Sequence, residues 1–282
     1  MKLHIIDAGS FLCDGGGIFG GVPKILWSRH IQADDRNLIR LSMRCLLVEE
    51  GDRKVLIETG AGDKLSWKFI ENNGISHTHR LIESLKEAGF APEDISDVVH
   101  THLHWDHAGG GTTWDEKKAA VPTFPNATYH CTRAQWENAL NPNAREGDAY
   151  FENDLLPVQR SGRLNLIDEE QELFPGFEMR IFNGHTPGQI IPVIAFNKHK
   201  IVFISDLVPT VANIPLKWVA AYDLFPVTTM EEKESFLREA YENKYLLFFN
   251  HDMEHECATV TWHEEKGPRV GQKGTLLNFL AE

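Results

Sequence analysis

Cysteine is scarce in this chain: there are four among 282 residues, at positions 13, 45, 131 and 257, and no two of them form a Cys-x-x-Cys pair. That excludes a disulfide framework and a cysteine zinc site; reduced thiols are expected, with Cys45 and Cys131 filling the core from strand-like runs. Basic residues are also in short supply, with 28 Lys and Arg against 41 Asp and Glu, for a net charge of -13 at pH 7. Nucleic acid and anionic membranes need clustered cations to displace their counterions, so neither is an expected partner. No apolar run approaches the roughly 18 residues of a membrane span, and Met1–Asp7 reads as a strand without the features of a signal peptide, so the expected location is cytoplasmic. Repeats, heptads and low-complexity tracts are absent. The glycine-dense stretch Asp14–Pro23 lacks the Gly-Lys-Ser or Gly-Lys-Thr of a phosphate cradle and shows no clear helix. It reads as a loop, either structural or mobile over a cleft, with Ile18, Phe19 and Trp27 offering an apolar wall to substrate.

What is present is ordinary for a globular protein, 42% hydrophobic and 24% charged, and the length suits one domain over residues 1–282. One stretch is not ordinary. Thr101-His102-Leu103-His104-Trp105-Asp106-His107-Ala108 and three glycines follow the short apolar run Asp97-Val98-Val99. Side chains alternate along a strand, so His102 and His104 project to one side as the chain leaves the sheet. Asp106 and His107 come where the chain must turn, and Gly109–Gly111 let a tight loop and a helix approach without side-chain clash. Imidazole and carboxylate suit a divalent ion such as zinc, with iron and manganese equally served by the donor types. Four such groups in six residues exceed what one tetrahedral ion can accept once a position is kept for water, which favours two metals.

His102-x-His104-x-Asp106-His107 resembles the signature of the metallo-β-lactamase superfamily of metal-dependent hydrolases. Three later blocks match that family's order: Gly184-His185-Thr186-Pro187-Gly188, Ile204-Ser205-Asp206 and Phe248-Phe249-Asn250-His251-Asp252. The resemblance implies an α/β fold of the αββα kind, a sandwich of two mixed β-sheets flanked by helices, with the site at strand ends. It implies that His102, His104 and His185 hold one ion, that Asp106, His107 and His251 hold the other, and that Asp206 bridges them. It also implies an acidic residue at the end of an early strand that orients a metal-bound histidine. Here that residue is Glu58, a methylene longer than the usual Asp, so its partner is open.

The coarse pattern agrees. Hairpins are expected at 44–58 and 190–204, a helix over 79–88 ending at Gly89, and buried strands at 97–99 and 245–249. Capping boxes at Thr132-Arg133-Ala134-Gln135 and Thr229-Met230-Glu231-Glu232 predict helix starts. His100 and His130 read as packed residues rather than ligands. The polar stretch 141–159 reads as an insertion beside the cleft with no assignable role.

Two ions roughly 3.5–4 Å apart can share a water and lower its pKa, giving a bridging hydroxide for attack on carbon or phosphorus. Asp106 could orient that hydroxide and pass a proton to the leaving group. The expected activity is therefore hydrolysis of a small-molecule ester or lactone, with phosphotriester, phosphodiester or thioester hydrolysis as the alternative. A diiron oxygen reductase is disfavoured by His104 and by the lack of a spare flavodoxin-sized segment, and a non-catalytic metal scaffold by the full ligand set. The lactone-cleaving relatives place a tyrosine three residues after the bridging aspartate to polarise the carbonyl; here that position is Pro209, and Tyr222 is the substitute considered.

Overall fold

The computed structural model describes residues 1–281. In chain order the strands are β1 (Lys2–Asp14), β2 (Leu38–Glu50), β3 (Arg53–Ile57), β4 (Asp97–Val99), β5 (Thr112–Trp114), β6 (Ala120–Pro122), β7 (Thr128–Thr132) and β8 (Leu164–Ile167), then β9 (Gln171–Phe174), β10 (Phe177–Phe182), β11 (Gln189–Phe196), β12 (His199–Phe203), β13 (Leu246–Phe248), β14 (Cys257–His263) and β15 (Gly267–Gly274). The helices are α1 (Gly15–Phe19), α2 (Lys24–Trp27), α3 (Trp67–Asn72), α4 (Arg80–Glu87), α5 (Trp105–Ala108), α6 (Arg133–Leu140), α7 (Glu152–Arg160), α8 (Pro226–Glu242) and α9 (Leu276–Leu280).

Contacts divide the chain into two compact units. The first comprises Met1–Phe11, Ser42–Glu169 and Gly188–Ile190; the second comprises Leu12–Leu41, Glu170–Pro187 and Ile191–Glu282.

The first unit is built on a six-stranded sheet in the order β1-β2-β3-β4-β7-β8. The hairpin β2–β3 is antiparallel, whereas β3, β4, β7 and β8 run parallel. A central parallel strand is covered on both faces, and β4 is accordingly buried throughout. Thr132 caps α6, its hydroxyl accepting from the Gln135 N–H, as the capping box predicts.

The second unit is built on a seven-stranded mixed sheet, β15-β14-β13-β12-β11-β10-β9. Its core gathers Phe182, Ile191, Val202, Leu247 and Phe249 against Phe236 and Leu237 of α8. The parallel pairing of β12 with β13 sets Phe203 opposite Phe248, so both strands end at one level.

Two expectations fail here. The glycine-dense stretch is not an open loop: Asp14 caps α1, its carboxylate accepting from the Gly17 N–H, and Ile18, Phe19 and Trp27 are buried rather than lining a wall, Phe19 stacking on Trp27 at 5.2 Å. Burying two large aromatic rings outweighs the helix-weakening glycines. The second capping box also fails, because Pro226 starts α8 and places Thr229 inside the first turn. Glu232 is occupied elsewhere, accepting from the Asn183 and Gly184 N–H groups (2.7 and 2.9 Å).

Candidate metal centre

In the first unit, β4 ends at Val99 and the next residues are held by backbone bonds: His100 N–H donates to the His130 carbonyl, and the Thr101 carbonyl accepts from Ile190 N–H. His100 is buried, and its Nε2 lies 3.3 Å from the Thr59 hydroxyl; burial pushes its imidazole down to about 4. It is a packed residue, as the sequence suggested, and so is His130, whose Nε2 is 2.9 Å from Asp97. His102 and His104 do converge, with His102 Nε2 3.0 Å from His104 Nδ1. The chain then turns into α5, which places Asp106 in its first turn and His107 in its last. His107 Nε2 lies 3.5 Å from Asp106 Oδ2.

The glycines permit this turn. A Cβ on Gly109 would meet the Ala61 carbonyl oxygen at 2.3 Å, and one on Gly110 the Thr59 carbonyl oxygen at 2.1 Å. Lys64, buried with Asp154 at 3.1 Å, donates to the Gly109 and Thr112 carbonyls and fixes the same segment.

Glu58 finds its partner here. It has a positive φ of 68° just beyond β3, and its Oε2 lies 2.9 Å from His107 Nδ1 while its Oε1 accepts from the Thr101 N–H (2.8 Å). Ligand atoms of Glu58, His102 and His107 all lie within 4.8 Å of one another, and the three residues are buried.

In the second unit, β10 leads into the turn carrying His185, whose first peptide N–H groups are those held by Glu232. His185 Nε2 lies 3.3 Å from Asp206 Oδ2, and His251 Nε2 lies 3.1 Å from Asp206 Oδ1. Asp206 follows β12 in a single 3-10 turn, with Ser205 at a positive φ of 44°. The level ending of β12 and β13 is what brings residues 206 and 251 together.

The outer ring nitrogens follow a rule. His102 Nδ1 is 3.0 Å from the Thr101 hydroxyl, His104 Nε2 is 3.4 Å from Glu146, His107 Nδ1 faces Glu58, and His185 Nδ1 is 2.8 Å from Asp223. Each imidazole is thus oriented by an oxygen on one nitrogen while its other nitrogen turns toward another ligand-type group, the arrangement that metal-binding histidines adopt. The donor set therefore fits divalent ions.

Glu146 and Asp223 were not assigned from the sequence, since a lone acid, whether in the polar stretch 141–159 or among the apolar and aromatic residues of 207–226, carries no periodic or spacing signal. At Glu146, burial pushes the carboxyl up, but hydrogen bonds from His104 and Asn138 outweigh it and hold the group below its usual value. Tyr222 adjoins Asp223 and is 48% exposed, with its hydroxyl 3.3 Å from Cys13 Sγ and its ring over Gly17.

Comparisons with known proteins agree with this chemistry. The Metallo-beta-lactamase superfamily model matches residues 41–251. An N-acyl homoserine lactonase of Bacillus cereus is 27% identical over 272 residues, covering 90% of this chain and 94% of that protein. A probable metal-dependent hydrolase from Staphylococcus aureus superposes with a TM-score of 0.88 at 30% identity, covering 97% of this chain and 96% of that one. AidC, described as a dizinc quorum-quenching lactonase in complex with a product, superposes with a TM-score of 0.79 at 20% identity, over 96% and 95% of the two chains. The fold is a mixed α/β arrangement of metallo-β-lactamase type. The chain belongs to the metallo-β-lactamase superfamily. It is a metal-dependent hydrolase.

Proposed function

We propose that this hydrolase opens a small ester or lactone at a centre of two divalent ions, with zinc as the metal. His102, His104 and His185 would hold one ion, Asp106, His107 and His251 the other, and Asp206 would bridge them. The observation that carries the reading is the orientation of four imidazoles, each with its outer nitrogen on an oxygen partner. When bound, the ions would supply Lewis acidity and a water that ionises near neutral pH. The remaining chemistry belongs to the chain's own residues. Asp106 would orient the attacking water and pass a proton to the leaving oxygen, and Tyr222 would donate to the substrate carbonyl. The lactone is preferred because relatives covering most of this chain are N-acyl homoserine lactonases and because AidC is described as a dizinc lactonase.

We further propose that residues 1–282 act as a single domain, since β1, β2 and β11 each contribute residues to both units.

The test is metal content per chain on protein purified without added metal, with initial rates against lactones, aryl esters, phosphotriesters and thioesters. About two ions per chain and chelator-sensitive lactone or ester turnover are expected. Fewer than about one ion would sink the two-ion centre. Turnover confined to phosphotriesters or thioesters would replace the substrate class.

A further inference from the structure

Glu146 lies in the segment between α6 and α7 for which the sequence offered no purpose. It is 7% exposed. Its Oε1 accepts from Asn138 Nδ2 (2.7 Å) and Asn143 Nδ2 (2.9 Å). Its Oε2 is 3.0 Å from the Tyr150 hydroxyl and 3.4 Å from His104 Nε2. Of these four partners, only the imidazole can carry a positive charge.

The cage also reaches the backbone between the two histidines. The Tyr150 hydroxyl is 3.2 Å from Gln135 Oε1, and that oxygen accepts from the Leu103 N–H at 3.2 Å. Gln135 is fully buried, and its own N–H is fixed by the Thr132 cap. One connected set of polar groups therefore holds both the outer edge of the His104 ring and the peptide linking His102 to His104. Such a set is worth building only if the ring must be aimed, because every buried polar group in it would otherwise be a liability.

We propose that Glu146 is a positioning residue: its carboxylate accepts a hydrogen bond from His104 Nε2–H, fixes the tautomer that turns Nδ1 toward His102 Nε2, and thereby tightens the ion shared by these two histidines. Asn138, Asn143 and Tyr150 keep the carboxylate aimed. The two-ion reading given above is the ground for this assignment, and the function of the 141–150 segment follows from it.

The experiment is a cobalt titration of the full-length metal-free protein against a chromophoric chelator, with wild type, Glu146→Gln, Glu146→Asp and Asn143→Ala. Wild type should take up two ions. Glu146→Gln should weaken one uptake step by about 10–100-fold and leave the other within about twofold, with an unchanged circular dichroism spectrum. Glu146→Asp, which keeps the charge, should recover part of the loss. If Glu146→Gln does not fold, Asn143→Ala should still show a severalfold loss in that same step. As an independent readout, nitrogen NMR of the metal-free protein should find His104 as a single Nε2–H tautomer. Two uptake steps unchanged in folded Glu146→Gln, or in Asn143→Ala where only that variant folds, would overturn the role of Glu146 alone. Wild-type protein that takes up fewer than two ions would overturn the two-ion reading, and this inference with it.

Discussion

The two units carry their candidate ligands in opposite ways. In the first, His102, His104, Asp106 and His107 fall within six residues, aimed by the end of β4 and the single turn of α5. In the second, His185, Asp206 and His251 are far apart in the chain and come from the ends of β10, β12 and β13. The first set is a product of local geometry, strand alternation followed by a turn that glycine permits. The second depends on sheet register, because a slip of one residue between β12 and β13 would part Asp206 from His251. A contiguous motif is therefore robust to distant change, while a dispersed one is only as good as the sheet beneath it.

The comparison breaks most directly by removing one proposed ligand from each set. His102→Ala and His251→Ala should each lower kcat/KM for the identified substrate by about a thousandfold or more, on the order of 4 kcal/mol of transition-state stabilisation. Steady-state kinetics on both variants checks this. If His251→Ala kept a tenth or more of the activity, the contiguous half would suffice alone and the equal standing of the two halves would be wrong.

A smaller effect sharpens it. Asp223 orients His185 in the second unit as Glu58 orients His107 in the first. Asp223→Asn should weaken metal binding by about 10–100-fold, read by chelator competition, while thermal stability of the metal-free protein changes little. A large loss of stability with unchanged metal affinity would make Asp223 a packing residue instead.

The smallest effect is a slope. Burial pushes the Asp154 carboxyl up to about 6 from 3.8, against the lowering by the Lys64 ammonium. The native state thus holds this proton more firmly than the unfolded chain, so its contribution is fully present below about pH 4 and lost as pH rises through about 6. Asp154→Asn lacks that proton. The stability of wild type relative to the variant should therefore fall between pH 4 and 6 and stay level above 7, in denaturant titrations at several pH values. A difference independent of pH would show that the carboxyl is not titrating in that range. Metal uptake of the variant also reports whether the Lys64 clamp on Gly109 and Thr112 steadies the contiguous motif.

Much of the fold was legible because its signals are short-ranged. The Thr132 cap, the stop at Gly89 and the apolar runs of β4 and β13 all stand where their residues place them. The stretch after Asp14 was not legible, because three successive glycines argue against a helix and only the packing of Ile18, Phe19 and Trp27 overrides them. Thr229 misled for a related reason: the capping pattern is satisfied by letters, but Pro226 starts the helix earlier and Glu232 is drawn to the turn of His185.

The sequence by itself determined the candidate donor set of this protein. Imidazoles and a carboxylate at strand-end spacing, followed by glycines, put donor types suited to a divalent ion within six residues, and the later blocks extend the set by resemblance. Tertiary structure decided which acid meets which imidazole: the resemblance named Glu58 but left its partner open, and nothing in the sequence marked Glu146 or Asp223. Glu58, Glu146 and Asp223 reach His107, His104 and His185 from positions distant in the chain, and the partner of a buried imidazole is set by which carboxylate the fold brings within hydrogen-bonding distance, a quantity that no local pattern encodes.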